Sequence, residues 1–134
     1  MYESLVEKAK AAALRSYSPY SGFCVGAALL TSEGKIYTGC NIENSAYSVT
    51  VCAERTAIFK AISEGENNFE AIAVVGGKNG VLSDYCPPCG ACRQVLSEFC
   101  GESFKVILGK DGAKYTEYTL GELLPGAFTL KDGE

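Results

Sequence analysis

Three cysteines fall within one short run, Cys86-Pro87-Pro88-Cys89-Gly90-Ala91-Cys92-Arg93-Gln94, and a fourth lies upstream in Cys52-Ala53-Glu54-Arg55. Thiolates at C-x-x-C spacing either hold a borderline-soft metal or exchange disulfides. Histidine is absent from the chain. That removes imidazole as nucleophile partner, general base and metal ligand. A transition-metal site here must rest on sulfur, with carboxylates as helpers.

Two frames overlap in the cysteine run. In Cys86-Pro-Pro-Cys89 the spacer is stiff and has no backbone N–H groups to offer. In Cys89-Gly-Ala-Cys92, Pro88 precedes a helix, and the two sulfurs fall at i and i+3 on its first turn, on one face. Free N–H groups and the positive helix end favour the thiolate form, so the second frame is preferred. Cys52 enters in the same way at the start of another helix. Cys52, Cys89 and Cys92 would hold one zinc ion per chain and leave a fourth position open, as in catalytic sites. Glu54, two residues from Cys52, can face the metal without binding it and move a proton. Arg55 can offset the thiolate charge by donating to a ligand sulfur. Cys24, Cys40 and Cys100 read as buried small hydrophobes, and Cys86 as a bystander.

These residues need elements to place them. Residues 2–17 have the spacing of an amphipathic helix, ended by Ser18-Pro19-Tyr20-Ser21-Gly22. Phe23 to Thr31 and Ile36 to Asn41 read as a hairpin. Asn41 to Val51 is a polar loop, followed by a helix from Cys52 or Ala53 to Glu64. Phe69 to Gly76 is a central strand and Gly77 to Pro88 a connection. Cys89 to Phe99 is a helix; Phe104 to Gly109 and Ala113 to Tyr118 are strands. Thr119 caps a short helix through Leu124, and the last residues form a tail. Helices separated by apolar strands predict an α/β fold: a three-layer α/β/α sandwich with a mixed five-stranded sheet. Over 134 residues there is no linker or repeat, so a single domain spanning 1–134 is expected.

Composition narrows the function classes. Net charge is −4 with no basic stripe, which disfavours nucleic acid as a partner. No apolar run is long enough to span a membrane. Met1-Tyr2-Glu3-Ser4 opens no leader pattern, and seven cysteines, an odd number, are not spread as a disulfide framework. Reduced thiols and a cytoplasmic location are expected.

The pattern Cys52-Ala53-Glu54 … Pro88-Cys89-Gly90-Ala91-Cys92 is similar to that of zinc deaminases acting on nucleobases. More fully, S-P-Y-S-G-F, V-G-A-A-L-L, G-C-N-I-E-N, C-A-E-R-T-A, P-C-G-A-C-R-Q and E-L-L-P-G-A-F resemble the small, homotetrameric, three-cysteine cytidine deaminases along nearly the whole length. The resemblance implies hydrolysis of cytidine and deoxycytidine to uridine and deoxyuridine, with release of ammonia in pyrimidine salvage. It implies that Phe23 and Phe128 pack against the pyrimidine, that Asn41 and Glu43 hold ribose hydroxyls, and that the Ala53 backbone reads the base edge. Tyr47 and Phe128 would serve a neighbouring subunit's site. Cys86 is the departure from the pattern.

On residue type alone, Phe23 and Phe128 are core or interface aromatics, Asn41 and Glu43 loop polars, and Arg55 a helix-surface charge. Two other functions fit the same cysteines. One is a deaminase resembling the blasticidin-S enzymes, against which the Asn41-Ile42-Glu43 segment argues. The other is a structural zinc or redox dithiol module, in which Cys86 would complete a four-cysteine shell.

Overall fold

A computed structural model of the chain describes residues 1–112 and 114–130. Helix α1 covers Glu3–Ala13; strands β1 and β2 cover Phe23–Thr31 and Ile36–Cys40. Helix α2 (Ala53–Ser63) leads to β3 (Phe69–Lys78), and α3 (Gly90–Phe99) to β4 (Lys105–Gly109). β5 (Tyr115–Thr119) runs directly into α4 (Leu120–Leu123). The five-stranded sheet has the order β2-β1-β3-β4-β5, with β3 and β4 parallel and the other pairs antiparallel.

Alternation along the strands divides the core into two layers. Ala27, Leu29, Ile72, Val74, Val106 and Leu108 face one way, against Ala57 and Ile58 of α2 and Leu96 of α3. Ala28, Ala71, Ala73, Val75 and Ile107 face the other way, against Leu5, Val6, Ala9 and Ala13 of α1. Continuous burial along the central strands, with side chains facing the two layers alternately, is what a sheet sandwiched between helices requires. The three-layer arrangement and the mixed five-stranded sheet are as expected from the sequence.

Several boundaries differ from those expected. α1 stops at Ala13 instead of continuing to residue 17. Leu14 is 86% exposed, so the apolar face has nothing further to cover. Tyr17 instead donates its N–H to the Asn41 carbonyl and accepts from the Glu43 N–H, a pairing from outside the segment. The strand expected to reach Asn41 ends at Cys40, and the loop after it includes a short 3₁₀ turn at Tyr47–Val49. β3 runs on to Lys78, because Cys24 and Phe23 supply partners for Gly77 and Lys78. Of the expected strand start at Ala113 and the tail, Ala113 and residues 131–134 lie outside the described residues.

One close approach places the site. A Cβ at Gly39 of β2 would stand 2.6 Å from the Ala57 nitrogen and 2.7 Å from the Ala53 carbonyl oxygen. Only glycine lets the first turn of α2 rest directly on the strand. That turn begins at Cys52 and carries Glu54.

Candidate metal centre

Cys52 is the N-cap of α2 and Cys89 the N-cap of α3; both have extended backbone. Cys92 follows on the first turn of α3 and is fully buried. Two helix N-termini therefore converge on one point, with their unpaired N–H groups and positive dipole ends turned toward sulfur. The Sγ atoms of Cys52 and Cys89 are 3.9 Å apart, and those of Cys89 and Cys92 3.6 Å. All three lie within 4.8 Å of one another. A tetrahedral zinc with bonds of ~2.3 Å asks for sulfurs ~3.8 Å apart. The donor set and its spacing therefore fit zinc. Cys86 is not one of the group.

The cluster is electrostatically uneven. The bond from Cys92 pulls the Cys52 thiol down to about 5; Arg55 adds to this, while burial opposes it. The same bond, then burial, push Cys92 up. Arg55 Nη2 donates to Cys52 Sγ at 3.3 Å, and the thiolate in turn raises the guanidinium pKa. Arg55 Nε is buried with no hydrogen-bond partner among the described residues. That leaves donor capacity for a more negative cluster, as a fully deprotonated three-cysteine set would be.

Glu54 is 4% exposed. Burial raises its carboxyl to about 7, the Cys52 charge adds to this, and Arg55 opposes it. A carboxyl near neutrality can both take and give a proton at ordinary pH. Cys86 is pushed up to about 11, mainly by burial, so its thiol stays neutral. Its sulfur packs against the β3 backbone, where a Cβ on Gly76 would come within 2.8 Å.

The residues expected to touch substrate divide into two sets. Asn41 and Glu43 are buried, at 8% and 6% exposure, and already have internal partners. Asn41 Oδ1 accepts from the Val25 N–H at 2.9 Å and from Ser16 Oγ, and its Nδ2 donates to the Phe23 carbonyl at 2.8 Å. Glu43 accepts from the N–H groups of Tyr20 and Ser21 at 3.0 and 3.1 Å, and from Ser21 Oγ. Ser21 Oγ also accepts from the Phe23 N–H at 2.9 Å. Both side chains thus hold the turn that presents Phe23. Ser16 and Ser21 complete this scaffold; Ser21 lies in the turn expected at 18–22, whereas Ser16 falls within the expected helix 2–17 and has no sequence signal. Ala53 is buried at the start of α2, whereas Phe23, Tyr47 and Phe128 are exposed, the last two at 73% and 67%.

A family model described as the cytidine and deoxycytidylate deaminase zinc-binding region matches residues 1–109. The cytidine deaminase of Sporosarcina psychrophila is 54% identical over 130 residues, 97% of this chain and 93% of that protein. The cytidine deaminase of Halalkalibacterium halodurans is 50% identical over 130 residues, 97% and 96% of the two chains. The crystal structure of cytidine deaminase from Burkholderia pseudomallei superposes with a TM-score of 0.88 at 45% identity, covering 96% of this chain and 99% of that one. Since these matches run through almost the whole of both chains, and Cys52, Cys89 and Cys92 all fall inside the family's zinc-binding region, this chain is an enzyme of the cytidine deaminase family.

Proposed function

We propose that the protein is a single-domain hydrolase, spanning 1–134, that converts cytidine and deoxycytidine to uridine and deoxyuridine with release of ammonia, in pyrimidine salvage. The observation that carries this reading is a buried carboxyl, Glu54, beside three convergent sulfurs at two helix N-termini. One zinc per chain held by Cys52, Cys89 and Cys92 supplies the Lewis acidity that makes a water nucleophilic near neutral pH. Glu54 takes a proton from the attacking water and gives it to N3 of the pyrimidine as C4 is attacked. It then takes the remaining proton from the hydroxyl added at C4 and passes it to the exocyclic nitrogen; the C4 carbonyl forms as the C4–N bond breaks and ammonia leaves. Its raised pKa suits both directions of transfer. Arg55 holds charge on Cys52.

Phe23 packs against the base, with the Ala53 backbone at the base edge. Glu43 holds the ribose with the acceptor capacity left on its carboxylate after three internal bonds, and Asn41 with the second Nδ2 hydrogen, since its Oδ1 already accepts twice. Exposed Tyr47, Phe128, Ile42 and Val49 suit contacts with a neighbouring subunit, and the family resemblance implies a homotetramer in which neighbours complete each other's sites. Seven cysteines, none of them in a disulfide, suit a reducing compartment and support a cytoplasmic location. The net charge of −4 fits a small neutral nucleoside better than a polynucleotide.

The deciding experiment measures zinc content and ammonia release together. The expected result is about one zinc per chain with turnover on both nucleosides. A zinc-loaded protein inert on both would refute the reading.

A further inference from the structure

Arg93 and Gln94 follow Cys92 directly, and no part of the chemistry above uses them. Both side chains are committed to backbone carbonyls. Arg93 Nε donates to the Pro88 carbonyl at 2.8 Å, and its Nη1 donates to the Leu123 carbonyl at 2.8 Å. Gln94 Nε2 donates to the Phe128 carbonyl at 3.1 Å. The three acceptors lie at two places. Pro88 is fully buried and immediately precedes Cys89. Leu123 is the last residue of α4, and Phe128 lies in the segment beyond it.

α4 is a single turn, closed at its start by the Thr119–Glu122 capping box. Residues 125–130 are exposed and outside regular structure. A cavity of about 430 Å³ lies under them, between Glu98–Glu102 and Gly126–Thr129. Pro88 has no N–H, so its carbonyl is the one backbone polar group through which that residue can be held. A guanidinium fork can serve two carbonyls at once in fixed geometry, which a lysine ammonium on a flexible stem does less well.

We propose that Arg93, assisted by Gln94, is a positioning residue that locks the Phe128-bearing segment to the turn delivering Cys89. The sulfur cluster and the aromatic that packs on the substrate then move as one unit. The inference rests on the reading that Phe128 contacts the base. Where Phe128 serves a neighbouring subunit, the lock carries the state of one chain's cluster to its neighbour's pocket, and by linkage the dependence is reciprocal.

The test uses the zinc-loaded full chain and two readouts: amide hydrogen exchange over residues 121–124, where the Gly121 and Leu124 N–H groups are hydrogen-bonded and lead into the segment, and KM against kcat for cytidine. Arg93→Gln is expected to raise exchange there roughly tenfold, as loss of a charged hydrogen bond does. KM should rise by about the same factor, with kcat moving less than about threefold. Arg93→Lys should recover only part of the loss. In a Phe128→Ala background Arg93→Gln should add no further increase in KM. Unchanged exchange in Arg93→Gln, or KM effects that multiply with Phe128→Ala, would overturn the proposal. Should Arg93→Gln fail to fold, Gln94→Leu cuts the Phe128 tie alone: faster exchange at these amides supports the lock and unchanged exchange refutes it. A wild-type protein inert on cytidine would defeat the functional reading, and exchange alone would then decide on the lock.

Discussion

The Arg55 guanidinium lies 3.3 Å from Cys52 Sγ, three residues along the same helix, and this contact ties a cation to a sulfur whose pKa is drawn down to about 5. Three thiolates outweigh the charge of Zn²⁺ and would make it a poor electrophile unless the excess is offset. Arg55→Gln should therefore lower kcat/KM by about 10- to 100-fold, the usual consequence of removing a group that supports a metal ligand. Arg55→Lys should recover part of this through charge alone. Zinc titration beside steady-state kinetics checks both. Full activity in Arg55→Gln would mean that the two helix ends suffice.

Glu54 gives a prediction with two opposite signs. Glu54→Gln should keep zinc yet lose turnover by about 10²–10⁴, as removal of a general acid–base does. The same change should stabilise the protein stripped of metal. The Glu54 carboxyl is raised to about 7 in the fold, above its ordinary value of 4.5. Its contribution to stability is therefore fully present below pH 4.5 and is lost as pH rises through 7. Glutamine has no such loss. The stability gap in favour of Glu54→Gln should be small near pH 4.5 and grow to on the order of 3 kcal/mol above pH 7. Urea denaturation in chelator across that range measures it; a gap independent of pH would be inconsistent with a buried carboxyl.

Cys86 separates a catalytic site from a four-cysteine structural one. Its sulfur is wedged against Gly76 and is not one of the three that converge. Cys86→Ala should retain zinc and turnover and lose only ~1 kcal/mol of packing. Gly76→Ala should cost more, ~1–3 kcal/mol, because the new Cβ would meet the Cys86 sulfur at 2.8 Å and a Val25 methyl at 3.1 Å. Loss of zinc in Cys86→Ala would restore the structural reading. Thiol alkylation gives an independent check: with its pKa near 11, Cys86 should react slowly at pH 8 in the native protein.

What could be read without coordinates was local in origin. Cys89 and Cys92 share one helix turn, Pro88 marks its start, and Thr119 and Glu122 form their capping box within four residues. All of these follow from spacing along one segment. The central strands were legible for the same reason, since a sheet covered on both faces makes each of them a continuous apolar run. The early end of α1 was not, because Tyr17 is drawn from the helix by Asn41 and Glu43, far along the chain. The internal bonding of Asn41 and Glu43 was hidden likewise. Polar loop residues look alike until the turn they support is folded beside them. Arg93 and Gln94 stood in a motif, but their acceptors at Leu123 and Phe128 come from the other end of the chain.

Gly39 tests whether the sheet sets the position of the site. Alanine there would press a methyl against the Ala57 nitrogen and the Ala53 carbonyl, both backbone atoms that cannot rotate away. α2 must then lift from β2, taking Cys52 and Glu54 away from Cys89 and Cys92. Gly39→Ala should destabilise the protein by ~3 kcal/mol or more and weaken zinc binding together with turnover. Thermal melting and competitive chelation measure the two effects. A variant that lost stability while binding zinc normally would show that α2 can shift without opening the cluster.

Glu43 presents the sharpest choice, because one carboxylate is asked to do two things. It accepts from Tyr20, from the Ser21 N–H and from Ser21 Oγ, and Ser21 Oγ accepts from the Phe23 N–H. Its pKa lies below the usual carboxylate range, chiefly through the Ser21 hydroxyl. A depressed pKa contributes stability above the ordinary carboxylate value, and that stability is lost as pH falls through the depressed one. The stability difference between wild type and Glu43→Gln should therefore shrink below about pH 4. Catalysis divides the roles. If Glu43 only holds the turn that presents Phe23, Glu43→Gln should impair cytidine and the free base cytosine by the same factor. If it also holds the ribose, cytidine should suffer more, by about tenfold for a lost hydrogen bond to a charged group. The second outcome is expected, since the turn engages the two carboxylate oxygens without exhausting their lone pairs. Equal losses on nucleoside and base would reduce Glu43 to a scaffold residue and leave the ribose to Asn41 and the backbone.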